Sequence, residues 1–414
     1  MKPNSFFKAI VTLVSGTAAA HIVTIAVLPI ISRLYSKEQF GELAVLMSSS
    51  TILAIVMTLK LEMAIFNRSE RKERHSIVFS TGVLATSFLL ISLLFVTEFQ
   101  VELLSLYDNK ISTVTLFFIP IAAFFIALFF LITNYAIAEK QFKEVAKVKV
   151  QRSVAQVVLQ IGLSFSAVGL VVAESLSRVV GVYSLYRKNL KASNFRGFGL
   201  QTFLEALKSN IRFLKYSSVA ALFNVVSLQF PTLFIASVFG VSGAGVFLLT
   251  NRLVALPVSL LGQSMAQVYS SEFSSKIDNI EYLNTLFKKV VLKSFLFSSL
   301  IFVIGGAFAE WAVVFFLGEK WVQVSDFIVI LTPMLILQFT STPISNTLNM
   351  LECQHLMLMW DFFRLLSMCL LTVIAITQKL DIEQFLTGYS IVISVCYVLI
   401  LCITWLKLKQ FRTT

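Results

Sequence analysis

Residues 113–138 read TVTLFFIPIAAFFIALFFLITNYAIA, a run without a single charged side chain. A helix over such a run is long enough to cross the ~30 Å hydrocarbon core of a bilayer, where backbone N–H and C=O groups find partners only within the helix itself. Comparable apolar stretches lie at about 9–31, 40–60, 77–97, 153–171, 172–186, 213–236, 243–266, 292–311, 326–348, 358–377 and 385–405. Together they predict an all-α integral membrane protein of about 12 transmembrane helices. Composition agrees: 57% of the 414 residues are hydrophobic and 14% are charged, against roughly 25% charged in soluble domains.

Lys and Arg fall in alternate intervals. One set holds Lys2 and Lys8, the cluster Arg68, Arg71, Lys72 and Arg74, and the run from Lys140 through Lys143, Lys147 and Lys149 to Arg152. It continues with Arg187, Lys188, Lys191, Arg196, Lys208, Arg212 and Lys215, then Lys276, Lys288, Lys289 and Lys293, and ends with Lys407, Lys409 and Arg412. The other set holds only Arg33, Lys37, Lys110, Lys320 and Lys379. Positive charge is retained on the cytosolic side, so both termini are predicted to face the cytosol and the number of spans to be even. The net charge of +12 then reflects topology and anionic lipid headgroups rather than nucleic acid.

Cys353, Cys369, Cys396 and Cys402 lie in or beside predicted helices without metal spacing and read as reduced core residues. Ala18-Ala19-Ala20 resembles a signal-peptide cleavage site, but the apolar run continues to Ile31, which favours a retained first helix. No Walker loop, dinucleotide-binding glycine turn, nucleophile elbow or metal-spaced His and Cys cluster is present, so neither a cofactor nor an enzymatic role is expected. His75 and His355 fall in predicted cytosolic loops, and His21 in the first span reads as a packing partner.

The chain is expected to divide into a six-helix lobe over 1–186, a cytosolic linker over 187–212 and a second six-helix lobe over 213–414. Within the linker, Leu200, Phe203, Leu204, Leu207 and Ile211 recur at helical spacing, which predicts an amphipathic interfacial helix. A weak repeat relates the lobes: residues 16–29 align with 218–231, and after a two-residue shift Gly41 aligns with Gly245. Parallel repeats of this kind occur in transporters whose halves move about a central site. Six prolines (Pro29, Pro120, Pro231, Pro257, Pro333 and Pro343) fall within spans and should kink them.

Charged residues inside spans are costly and point to function. Lys60 and Glu62 close the second span; two residues apart on a continuing helix, they would face different ways. Arg252, beside Asn251, has no acid within a helical turn in sequence. Glu174 with Arg178 and Asp361 with Arg364 have spacings that allow pairing within one helix. Gln156 and Gln160, Gln263 and Gln267, and Asn134, Asn224, Gln229 and Gln338 add amides that either join helices or contact a polar ligand.

Two blocks carry a family resemblance. The first is Ser15-Gly16-Thr17-Ala18, then Pro29-Ile30-Ile31-Ser32-Arg33-Leu34-Tyr35-Ser36, Phe40-Gly41 and Thr58-Leu59-Lys60-Leu61-Glu62-Met63-Ala64. The second holds Phe213-Leu214-Lys215-Tyr216, Pro231, Phe239-Gly240, Ala244-Gly245, Asn251-Arg252-Leu253, Pro257 and Gly262-Gln263. The chain thereby resembles Wzx-type lipid-linked oligosaccharide flippases, exporters of O-antigen and other polysaccharide repeat units. The resemblance implies two six-helix lobes around a V-shaped cavity and export of undecaprenyl-pyrophosphate-linked oligosaccharide across the bacterial inner membrane. A polysaccharide polymerase and a chain-length regulator would be partners. Arg252, Lys60 and Arg364, then Arg33, would contact pyrophosphate, with Asn251 and Glu62 beside them. A cation-coupled drug or metabolite antiporter of the same superfamily is the alternative, and a membrane polymerase or acyltransferase a more distant one.

Overall fold

In the computed structural model, residues 3–190 and 197–410 are described, and they form helices with no strand among them. Side chains are described from residue 12, positions 212, 213, 256, 259 and 260 excepted. Lys2, Lys191, Arg196 and Arg412 of the basic set therefore lie outside the described residues, as do the side chains of Lys8 and Arg212. Two compact units divide the chain, Met1–Leu248 and Leu249–Thr414.

The first unit contains α1 (Pro3–Ala26), α2 (Leu28–Leu34), α3 (Lys37–Thr58), α4 (Arg71–Glu98), α5 (Gln100–Ser105) and α6 (Thr113–Ala138). It continues with α7 (Phe142–Gly162), α8 (Gly169–Asn189), α9 (Leu200–Ser209), α10 (Ile211–Phe234) and the start of α11 (Val241–Pro257). The second holds the rest of α11, then α12 (Gln263–Ser275), α13 (Ile280–Ala307), α14 (Ala309–Leu317), α15 (Gln323–Ser341), α16 (Thr347–Met350), α17 (Gln354–Thr377) and α18 (Ile382–Gln410).

Prolines and caps set these boundaries. Pro29 stands in the first turn of α2, where α1 and α2 bend by 41°. Ser36 and Gln39 form a reciprocal capping box that starts α3. Pro231 in α10 and Pro257 at the end of α11 are each followed by a π-helical segment, Ile235–Phe239 and Val258–Gly262. A ring without an N–H leaves a carbonyl one turn back unpaired, and a wider turn is one way for the backbone to accommodate it. Pro343 lies in a 3₁₀ turn before α16. The amphipathic helix expected in the linker is α9, whose Leu207 packs into the buried cluster of Leu61, Ile77 and Leu185.

Among the described residues, eight helices are long and apolar enough to cross a membrane, and the bent pair α1–α2 makes a ninth. The expectation of twelve also counts α7, α8 and α11. The first two carry charged residues within them, and the apolar part of the third, Val241–Ala255, is short. Here hydropathy misplaces boundaries. The stretches at 153–171 and 172–186 correspond to helices over Phe142–Gly162 and Gly169–Asn189. A window seeking apolar residues slides away from Lys143, Lys147, Lys149 and Arg152, all of which are helical.

Small residues let helices approach closely. A Cβ on Gly16 would lie 2.5 Å from the Ala146 Cβ, so α1 rests directly on α7. Gly41 and Gly245 form a reciprocal pair. A Cβ on Gly41 would sit 1.8 Å from the Val241 carbonyl oxygen, and one on Gly245 would sit 2.1 Å from that of Lys37. Each glycine, in the second turn of its helix, thus receives the first residue of the other, and α3 crosses the start of α11 backbone to backbone. Element order repeats too. α4 and α13 each run 28 residues, break at a phenylalanine (Phe99, Phe308) and continue as a short helix, α5 or α14.

Candidate functional site

A polar interior of the first unit lies where α7 meets α8 and α1. On α7, Lys149, Arg152, Gln156 and Gln160 follow each other at three- and four-residue steps, hence on one face. Opposite stands Glu174 of α8, its side chain 1% exposed. Its Oε1 accepts from the Arg178 guanidinium at 2.6 Å and from that of Arg152 at 3.0 Å, and its Oε2 accepts from Gln156 Nε2 at 2.6 Å. Phe129 lies under the Arg152 guanidinium at 5.8 Å. Toward α1, the Lys149 ammonium donates to Thr17 Oγ1 at 2.9 Å, a turn before His21. Toward α2, Tyr35 donates to the Gln160 carbonyl at 2.6 Å.

Charge in this cluster does not balance. The groups just named include three bases (Lys149, Arg152 and Arg178) and one carboxylate, which Arg152 and Arg178 share. The Nε atoms of Arg152 and Arg178 and the Gln160 amide nitrogen are buried with no acceptor among the described residues. Ionised groups stay charged in an apolar setting only with partners, so donors exceed acceptors here. An anion, or hydroxyl and carbonyl oxygens, would complement them. The expected pair of Glu174 and Arg178 is present, but Arg152 and Gln156 join it, so it is not self-contained.

Lys60 and Glu62 differ from expectation. α3 ends at Thr58, Leu59 and Lys60 take left-handed φ values of 46° and 57°, and a 3₁₀ helix runs over Leu61–Asn67. That reversal turns Lys60 back toward Glu62, and ammonium and carboxylate stand 3.7 Å apart. The continuing-helix geometry that would have separated them does not exist. Glu62 is buried, and neither of its oxygens is hydrogen-bonded among the described residues, while Lys60 stays partly exposed and lies 5.4 Å from the Phe130 ring centroid.

The remaining candidates lie on other elements. Arg33 is exposed at the end of α2, and α3, about 33 Å long at 1.5 Å per residue, separates it in the chain from Lys60. Asn251 and Arg252 are half-buried in α11. Arg364 is buried in α17, donates to Asp361 at 3.0 Å and lies 4.5 Å from the Trp360 ring centroid, so it is a paired cation. Some amides act as helix joints: Gln229 on α10 accepts from Ser48 on α3 at 3.1 Å. His75, expected in a loop, stands in the second turn of α4 beside the Tyr135 hydroxyl at 2.8 Å.

Lys149 and Arg152 are the functional candidates that sequence reasoning placed in a loop. Their signal was present in the spacing that links them to Gln156 and Gln160, had the helix been started at Phe142.

Such an arrangement of helices is the fold of transporters of the MOP superfamily. An inward-facing multidrug resistance MATE family transporter of that superfamily superposes with a TM-score of 0.67 at 15% identity, over 96% of this chain and 94% of its own. A MOP superfamily transporter from Pyrococcus furiosus gives 0.58 at 18%, over 98% and 97%, and a eukaryotic MATE transporter 0.61 at 16%, over 98% and 97%. At these identities the likeness is one of fold. No curated protein matches the sequence. Residues 30–326 match the family described as polysaccharide biosynthesis protein, and the chain belongs to that family.

Proposed function

We propose that this protein moves undecaprenyl-pyrophosphate-linked oligosaccharide repeat units from the cytosolic to the periplasmic leaflet of the bacterial inner membrane, by alternating access, for surface polysaccharide synthesis. The observation that carries the reading is the excess of bases over acids where α7 meets α8, in a member of a polysaccharide biosynthesis family. A pyrophosphate cannot enter hydrocarbon unaided, because unpaired charge loses its hydration. Guanidinium groups offer it bidentate hydrogen bonds, and amides offer partners to sugar hydroxyls. On this reading Arg152, Lys149 and Lys60 in the first unit, and Arg252 in the second, each contact the anion, while the prenyl chain remains in lipid. Both termini face the cytosol on this reading, and a polymerase and a chain-length regulator act downstream.

Deleting the gene tests it. Lipid-linked repeat units should accumulate on the cytosolic face while surface polysaccharide disappears; unchanged surface polysaccharide would overturn the proposal. Among variants at equal expression, Arg252→Ala should abolish most export and Arg252→Lys retain part of it, measured as surface polysaccharide per cell. Equal output from Arg252→Ala and wild type would remove that residue from the mechanism.

A second reading, a cation-coupled antiporter, draws on the fold shared with multidrug exporters and on the buried Glu62 carboxyl without a hydrogen bond. Cation-dependent drug efflux by purified protein in vesicles, with polysaccharide export intact in the deletion strain, would favour it.

A further inference from the structure

The element order places two grooves in equivalent positions. In the first unit, α4, α6 and α8 enclose a groove of about 720 Å³ lined by residues that include Phe79, Gly82, Thr86, Leu128, Val182 and Tyr183. In the second unit, α13, α15 and α18 enclose one of about 390 Å³, with Phe287, Lys288, Val291, Thr340, Cys402 and Trp405 in its wall. Each uses the third, fourth and sixth long helices of its repeat. Each begins at the same depth too: Val78 lies seven residues into α4, as Phe287 does into α13.

The walls are apolar, and the bases gather at one end. Along α4 the lining positions 79, 82, 83, 86 and 90 follow helical spacing. A Cβ at Gly82 would meet nothing within 4 Å, so the missing side chain opens the space. Two turns before Phe79 on the same face comes Lys72, and one turn after Tyr183 comes Arg187, both exposed. In the second groove Lys288 is part of the wall, and the Lys409 ammonium lies 3.9 Å from the Trp405 ring centroid. Within a bilayer, such a slot takes a hydrocarbon chain. Bases at one mouth select a headgroup of opposite charge, at roughly fivefold in affinity for each base near the surface.

We infer that the two grooves are binding sites for an anionic phospholipid, its acyl chain lying along α4–α6–α8 or α13–α15–α18 and its phosphate against Lys72 and Arg187 or Lys288 and Lys409. The sites are separate from the polar cluster of α7 and α8, and they do not depend on what the protein exports.

Native mass spectrometry of the purified full chain, titrated with phosphatidylglycerol, phosphatidylcholine or undecaprenyl phosphate, tests the inference. Phosphatidylglycerol should bind at least tenfold more tightly than phosphatidylcholine, up to two per chain. Gly82→Leu should lose one of the two, since the leucine fills the first groove. Should Gly82→Leu fail to fold, Lys72→Gln with Arg187→Gln, both on the exposed surface, still decides: phosphatidylglycerol binding should fall about tenfold or more at one site with phosphatidylcholine unchanged. Equal binding of the two phospholipids, an unaltered phosphatidylglycerol count in folded Gly82→Leu, or undecaprenyl phosphate that phosphatidylglycerol cannot displace would each overturn it.

Discussion

Glu174 is the acid that pairs with the buried Arg178 guanidinium and the half-buried one of Arg152, and its removal should be felt as instability before it is felt as lost activity. Breaking a buried ion pair by deleting one partner typically costs about 3–5 kcal/mol, because the other charge is left uncompensated. Glu174→Ala should therefore lower the thermal midpoint in detergent sharply, whereas Glu174→Gln, which keeps acceptor and shape, should lower it less. Equal midpoints for Glu174→Ala and wild type would show that Arg152 and Arg178 find other partners. At this scale the sequence was only partly legible. The Glu174–Arg178 and Asp361–Arg364 pairs follow from helical spacing alone. The Lys60–Glu62 pair does not, because Leu59 and Lys60 adopt left-handed conformations that neither residue type announces.

Helix crossings are legible where they rely on glycine. Gly41 and Gly245 aligned as a repeat in the sequence, and the structure sets each against the other's helix start. Overpacking a close crossing costs about 1–3 kcal/mol and moves backbone. Gly41→Ala should thus lower stability by that order, Gly41→Leu by more, and Gly245→Ala should behave like Gly41→Ala; thermal unfolding of the three in one detergent checks it. An unperturbed midpoint in Gly41→Leu would mean that α3 and α11 can part freely. Helix starts were less legible. Hydropathy delayed α7 by half its length, since a membrane helix with four bases in its first three turns looks like a loop until tertiary partners such as Thr17 and Glu174 are known.

For the whole molecule, distribution of charge predicts sidedness, and labelling tests it. In a background with Cys353, Cys369, Cys396 and Cys402 replaced, a cysteine at Asp108 should react with a membrane-impermeant maleimide on intact cells. A cysteine at Lys143 should react only after the membrane is opened. The reverse pattern would invert the orientation. Family and fold were legible because two blocks of motif and a charge bias survive as linear patterns. The polar interior was not, since it is assembled from α1, α7 and α8. The interlocked glycines tie two distant stretches of sequence together. A side chain at either would meet a carbonyl at the start of the other's helix, so a change at one position is felt at the other. A hybrid gene that joins the front of this protein to the back of a distant cousin should succeed only when the cousin also has glycine facing Lys37.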